Sequence, residues 1–97
     1  MRHWILQSDG DSPLTLRLPP GVVKTLGRTA RADFLVDAAL VSRLHCRLTT
    51  DGDELVVEDL ESTNGTLVNG TRIDRAVLQA GDTLTVGRVV FTVRAAP

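Results

Sequence analysis

Turn-forming pairs recur at short intervals along the chain: Asp9-Gly10, Pro19-Pro20-Gly21, Asp51-Gly52, Asn64-Gly65, Asn69-Gly70, Gly81-Asp82 and Gly87-Arg88. Glycine takes up positive φ at little steric cost and Asn and Asp tolerate it, so each pair favours a reversal of the chain. The segments between them are short and rich in Val, Leu and Thr. None sustains apolar residues at i, i+3, i+4 and i+7 over the length that a stable helix needs. Many short strands at close spacing predict an all-β sandwich or barrel. Leu, Val, Ile and Phe make up about 31 % of the 97 residues, well above the level of about 20 % below which disorder sets in. One core is therefore available, and the length suits a single domain over 1–97, with its core at about 4–94 and a fraying tail at 95–97.

Strands are expected at 4–7, 14–18, 22–26, 34–36, 45–49, 54–59, 66–68, 71–73, 83–86 and 89–94. The two residues Asn69-Gly70 suit a type I′ hairpin, and Gly87-Arg88, led by glycine, suits type II′. A further hairpin is expected over Asp51-Gly52. Asn64-Gly65 differs, because "DLEST" before it offers no strand ending at the turn. Ser62, Thr63 and Asn64 instead place polar side chains on a loop, where recognition usually sits.

Charge narrows the function. Eleven Lys and Arg against twelve Asp and Glu leave a net charge of −1, unlike the basic footprint of a nucleic-acid binder. Ten of the eleven cations are Arg, the better residue for bidentate phosphate or carboxylate contacts. Cys46 is the only cysteine, which rules out an internal disulfide. The polar start "MRHWILQSDGDSP" is no signal peptide and no run reaches membrane-spanning length, so a soluble, cytoplasmic chain with no membrane partner is expected. In that compartment the two Asn-Gly-Thr glycosylation sequons are coincidental. The acidic residues Asp33, Asp37, Asp59 and Asp82 read as turn or strand-end residues. No metal or cofactor motif is present.

Three stretches carry chemistry: Gly27-Arg28, "SRLHC" from Ser42 to Cys46, and "STNGT" from Ser62 to Thr66. In a sandwich, strand ends and loops of this kind converge at one edge. Arg28 and Arg43 offer guanidinium forks, Ser42 and Thr63 hydroxyl donors, and Asn64 both a donor and an acceptor. A phosphate monoester, with about −1.5 to −2 charges and three acceptor oxygens, suits such a cradle. No paired carboxylate, metal-ligand cluster or activated nucleophile stands beside it, which points to binding without turnover. His45 reads as a half-buried imidazole that joins two loops, and Cys46 as a small core residue.

Gly-Arg, Ser-Arg-x-His and Ser-Thr-Asn-Gly-Thr, in that order, resemble the forkhead-associated (FHA) domain. The flanks "ADFLVD", "LVVEDLESTNGTLVNGTRI" and "LQAGDTLTVGRVVFTV" resemble it too, so the likeness runs from about residue 4 to 94. It implies an FHA/SMAD-like β-sandwich of about eleven short, mostly antiparallel strands that binds phosphothreonine peptides through loops at one end, a form of phospho-motif capture. On that basis Arg28 contacts the phosphate, Ser42 donates to a phosphate oxygen, Arg43 adds charge, Thr63 lines the pocket and Asn64 holds the peptide backbone. Gly27, His45 and Gly65 match scaffold positions, and Asn69 supports the site from its turn. The implied partner is a phosphothreonine protein, such as a Ser/Thr kinase or its substrate. The alternative is a phospho-independent assembly module that uses another face of the same fold. A phosphatase would need a nucleophile and base that the chain does not display.

Overall fold

A computed structural model describes residues 2–96. Its strands are β1 (His3–Ser8), β2 (Thr15–Leu18), β3 (Val23–Gly27), β4 (Phe34–Leu35), β5 (Cys46–Asp51), β6 (Glu54–Asp59), β7 (Thr66–Val68), β8 (Thr71–Ile73), β9 (Arg75–Leu78), β10 (Thr83–Val86) and β11 (Val89–Ala96). They form two sheets, one of six strands ordered β2-β1-β11-β10-β7-β8 and one of five ordered β4-β3-β5-β6-β9. Every pairing is antiparallel except that of β3 with β4. The all-β sandwich of eleven strands anticipated from the sequence is thus what the chain forms. No helix among the described residues is long and apolar enough to cross a membrane.

Side chains alternate across each strand, so every second residue enters the space between the sheets. Trp4 and Leu6 of β1, Leu16 and Leu18 of β2, Leu84 and Val86 of β10 and Phe91 and Val93 of β11 face inward from one sheet. Leu26, Cys46, Leu48, Leu55, Val57 and Leu78 meet them from the other. Buried Thr50 fits this core because its hydroxyl donates to the Pro19 carbonyl (2.8 Å) and accepts from the Val22 N–H (2.9 Å).

The turns follow the expected chemistry, with one shift. Asn69 and Gly70 both have positive φ, 50° and 82°, as type I′ requires, whereas only Gly87 does in its pair, as type II′ requires. The β5–β6 hairpin, however, turns over Gly52-Asp53, because Asp51 already pairs with Glu54. The leading glycine of that pair, at φ 61°, supplies the positive φ that Asp51 would have had to strain to adopt.

Two features lie beyond the strands expected from the sequence. At the tail, Ala95 pairs with Trp4 and Ala96 with His3, because β1 presents backbone partners whatever the tail's side chains. Pro97 lies outside the described residues. The sequence also gave no sign of β9, since only Asp74 separates it from β8 and no Gly or Pro marks the bend. At Asp74 the chain crosses from the six-stranded to the five-stranded sheet, and the Asp74 carbonyl accepts from the Asp59 N–H (2.9 Å).

This topology gathers the site. In the five-stranded sheet Leu26 pairs with Cys46 and Cys46 with Asp59. The end of β3, the start of β5 and the end of β6 therefore share one edge, and the loops beyond them leave it together.

Candidate functional site

Gly27 closes β3, and its geometry explains why only glycine fits. A Cβ there would come within 2.0 Å of the Arg43 carbonyl oxygen, so the two backbones could not lie this close. That approach aligns Arg28 with the loop between β4 and β5. The Arg28 N–H donates to the Ser42 carbonyl (3.0 Å), and its Nε donates to the Val41 carbonyl (2.9 Å). With Nε engaged, the guanidinium is oriented by the loop, and its terminal amino groups form no hydrogen bond among the described residues.

His45, immediately before β5, is fully buried rather than half-buried as expected. The reason is that it lies beneath both loops and joins them. The Ser42 N–H donates to its Nδ1 (3.0 Å), so that nitrogen is an acceptor and the proton sits on Nε2, which donates to the Gly65 carbonyl (2.8 Å). The His45 backbone extends the link, its N–H donating to the Leu26 carbonyl (2.8 Å) and its carbonyl accepting from the Leu60 N–H (3.0 Å).

The loop between β6 and β7 is organised by Asp59 and Ser62. Asp59 accepts from the Ser62 hydroxyl (2.5 Å), the Ser62 N–H (3.2 Å) and the Thr66 hydroxyl (2.7 Å). The Ser62 Oγ in turn accepts from the Gly65 N–H (3.0 Å). Partial burial pushes the Asp59 carboxyl up, but these hydrogen bonds outweigh it and hold the group below the usual carboxylate range. Gly65, at φ 86°, occupies the left-handed region that favours glycine, with the Arg72 side chain lying over it.

Two contacts then join the loops across the site. The Thr63 N–H donates to the Ser42 Oγ (3.0 Å), and the Asn64 Nδ2 donates to the Leu40 carbonyl (3.1 Å). Because the Ser42 oxygen accepts from Thr63, its own O–H is left to donate outward.

An open groove of about 790 Å³ lies over these loops, lined by Arg28, Ser42, Arg43, Thr63 and Asn64 among others. The five residues read from the sequence as ligand contacts are therefore brought together. Asn69 is not among them. Its Oδ1 accepts from the Thr83 N–H (2.9 Å) and its Nδ2 donates to Asp82 (3.0 Å), which braces the β7–β8 turn against the start of β10. Sequence reasoning missed other lining residues of the groove, among them Asp37, Leu40 and Glu61. No spacing marks those residues, but Leu40 (φ 70°) and Glu61 (φ 56°) hold a conformation unusual for residues other than glycine. No group of three or more His, Cys, Asp or Glu among the described residues is arranged to hold a metal ion.

A family model described as the FHA domain matches residues 24–87. Among curated relatives, the chain is 41 % identical over 76 residues to the ABC transporter ATP-binding/permease protein Rv1747 of Mycobacterium tuberculosis, covering 78 % of this chain and 9 % of that protein. It is 42 % identical over 67 residues to the glycogen accumulation regulator GarA of Mycolicibacterium smegmatis, covering 67 % of this chain and 42 % of that one. The chain thus spans less than half the length of either relative. Among solved structures, one described as a structural and functional analysis of phosphothreonine-dependent FHA domain interactions superposes with a TM-score of 0.90 at 35 % identity, covering 98 % of both chains.

Proposed function

This chain belongs to the forkhead-associated (FHA) family, a family of binding modules, and on that footing we propose that it is a phosphothreonine-dependent protein-interaction module. The reading rests on one observation above the rest: the donors of the groove divide into those bonded within the protein and those left for a ligand. Arg28 orients through Nε and offers its terminal amino groups, while Ser42 accepts from Thr63 and offers its O–H. In this reading both donate to the phosphate, and Arg43 adds charge. Thr63 lines the pocket beside the phosphothreonine, and Asn64, anchored to Leu40, holds the peptide backbone. Gly27, His45 and Gly65 shape the loops. The partner is a phosphothreonine-bearing protein, in the setting of Ser/Thr-kinase signalling, and the protein acts in the cytoplasm.

The test is a titration of the full chain against a degenerate phosphothreonine peptide library and its dephosphorylated counterpart. Binding is expected only to the phosphorylated set. Arg28→Ala and Ser42→Ala should each lose about 1.5–3 kcal/mol, or about 10- to 150-fold in affinity. Equal binding to both sets would overturn the proposal.

One observation favours a second mode. On the outer face of the five-stranded sheet Val23, Thr49, Val56 and Val77 form a cross-strand row, with Val23 and Val77 exposed. A partner docked on that row would be captured equally well by the parent protein and by Arg28→Ala.

A further inference from the structure

The groove built to receive a dianion is also lined by two carboxylates, Asp37 and Glu61. Both are exposed, and among the described residues neither forms an ion pair. A carboxylate beside a phosphate site works against phosphate binding unless it meets a cation that the ligand brings with it.

Glu61 makes the point more sharply. Its φ of 56° is left-handed, a conformation that crowds the Cβ of an L-residue against its own backbone and that glycine adopts freely. The position lies two residues before Thr63 and next to Ser62, whose contacts with Asp59 fix the loop's path, so the backbone imposes this φ on whatever residue stands there. Glutamate is thus a poor residue for the turn, and among the described residues its side chain forms no hydrogen bond or ion pair that would offset the penalty. What it does supply is negative charge at the rim of the groove.

We infer that Glu61, with Asp37, makes this groove selective for phosphothreonine peptides that carry a Lys or Arg beside the phosphorylated residue, and that it repels peptides with acidic flanks. This inference rests on the phosphopeptide reading above and deepens it. Arg28 and Arg43 attract the phosphate, the two carboxylates attract the basic flank, and a ligand must satisfy both signs at once. The leading role falls to Glu61, since it is the one held at a backbone conformation that would be easier without its side chain.

The experiment measures fluorescence anisotropy of the full chain with phosphothreonine peptides bearing two lysines or two glutamates, placed either before or after the phosphorylated residue. Each peptide has an unphosphorylated twin. At low salt, at least one lysine peptide should bind about fivefold or more tighter than its glutamate counterpart, as expected for exposed charge pairs, and the ratio should shrink as salt rises. Glu61→Gln together with Asp37→Asn should bring that ratio close to one, and Glu61→Lys should invert it. Glu61→Gly is the variant that separates selectivity from folding. It should leave the melting temperature unchanged or raise it while removing the selectivity. Phosphate-dependent binding whose lysine-to-glutamate ratio is the same in the parent and in these variants would overturn the inference and leave the phosphopeptide reading standing. Binding that ignores the phosphate in every peptide would overturn both.

Discussion

Removing the His45 imidazole tests whether one buried side chain holds the two binding loops in register. In His45→Ala the Gly65 carbonyl loses the Nε2–H donor at 2.8 Å, and the Ser42 N–H loses the Nδ1 acceptor at 3.0 Å. Gly65 is buried and Ser42 half-buried, so water replaces the second partner more readily than the first. At about 1–3 kcal/mol for each buried group left unpaired, the loss comes to about 2–4 kcal/mol. A domain of this size shifts its melting temperature by about 4–8 °C per kcal/mol, so the midpoint should fall by at least about 8 °C. Thermal unfolding followed by circular dichroism measures that directly. His45→Asn supplies a gradation, since its Oδ1 sits near the place of Nδ1 and keeps the Ser42 acceptor while losing the link to Gly65. It should fall between the parent and the alanine variant. Phosphopeptide affinity should drop in the same order, because loops no longer tied to each other must be ordered by the ligand. A midpoint within about 4 °C of the parent in His45→Ala, with affinity unchanged, would refute the view that this imidazole couples the loops.

The remaining predictions use other parts of the same end of the sandwich. Gly27→Ala forces a Cβ against the Arg43 carbonyl and should cost about 1–3 kcal/mol by overpacking, with phosphopeptide affinity reduced; thermal unfolding and titration read both effects. Burial, helped by the charge of Asp59, pushes the Cys46 thiol up to about 12, so iodoacetamide should leave the native protein unmodified at pH 8 and alkylate it only in denaturant, as mass spectrometry would record. The lowered Asp59 carboxyl contributes stability that is complete above the ordinary carboxylate value, near 4, and is lost as pH falls through its lower value in the folded state. Asp59→Asn should therefore flatten the acid limb of a melting-temperature profile between pH 6 and 2.

Legibility followed the locality of the signal. Hairpins are written in two residues, so Asn69-Gly70 and Gly87-Arg88 could be read together with their turn types. That Arg28, Ser42, Arg43, Thr63 and Asn64 would gather at one edge was readable because they lie in short polar stretches at strand ends and loops. β9 was not, because its start is fixed by Asp74 crossing between sheets rather than by a turn residue. The rest of the groove's lining was hidden for a related reason. Leu40 and Glu61 line it with positive φ, and Leu40 is reached by the Asn64 bond to its carbonyl across 24 positions of sequence. Nothing local in "AALVS" or "DLEST" announces that.

The two Asn-Gly pairs show how one local signal acquires two meanings. At Asn69-Gly70 both residues take positive φ, and the asparagine side chain turns inward to Asp82 and Thr83, so the pair holds a hairpin in place. At Asn64-Gly65 only the glycine takes positive φ, and both of its backbone groups are bonded, the N–H to Ser62 and the carbonyl to His45. The asparagine is then left at the rim of the groove, tied to Leu40 by one amide hydrogen, with its side-chain oxygen bonded to no partner among the described residues. The difference is a matter of what the fold does with the neighbours: where the glycine is fixed from below, the asparagine before it becomes available above. If a peptide docks here as proposed, preorganisation of this kind lowers the entropy lost on binding, so even modest individual donors contribute more of their interaction energy to affinity.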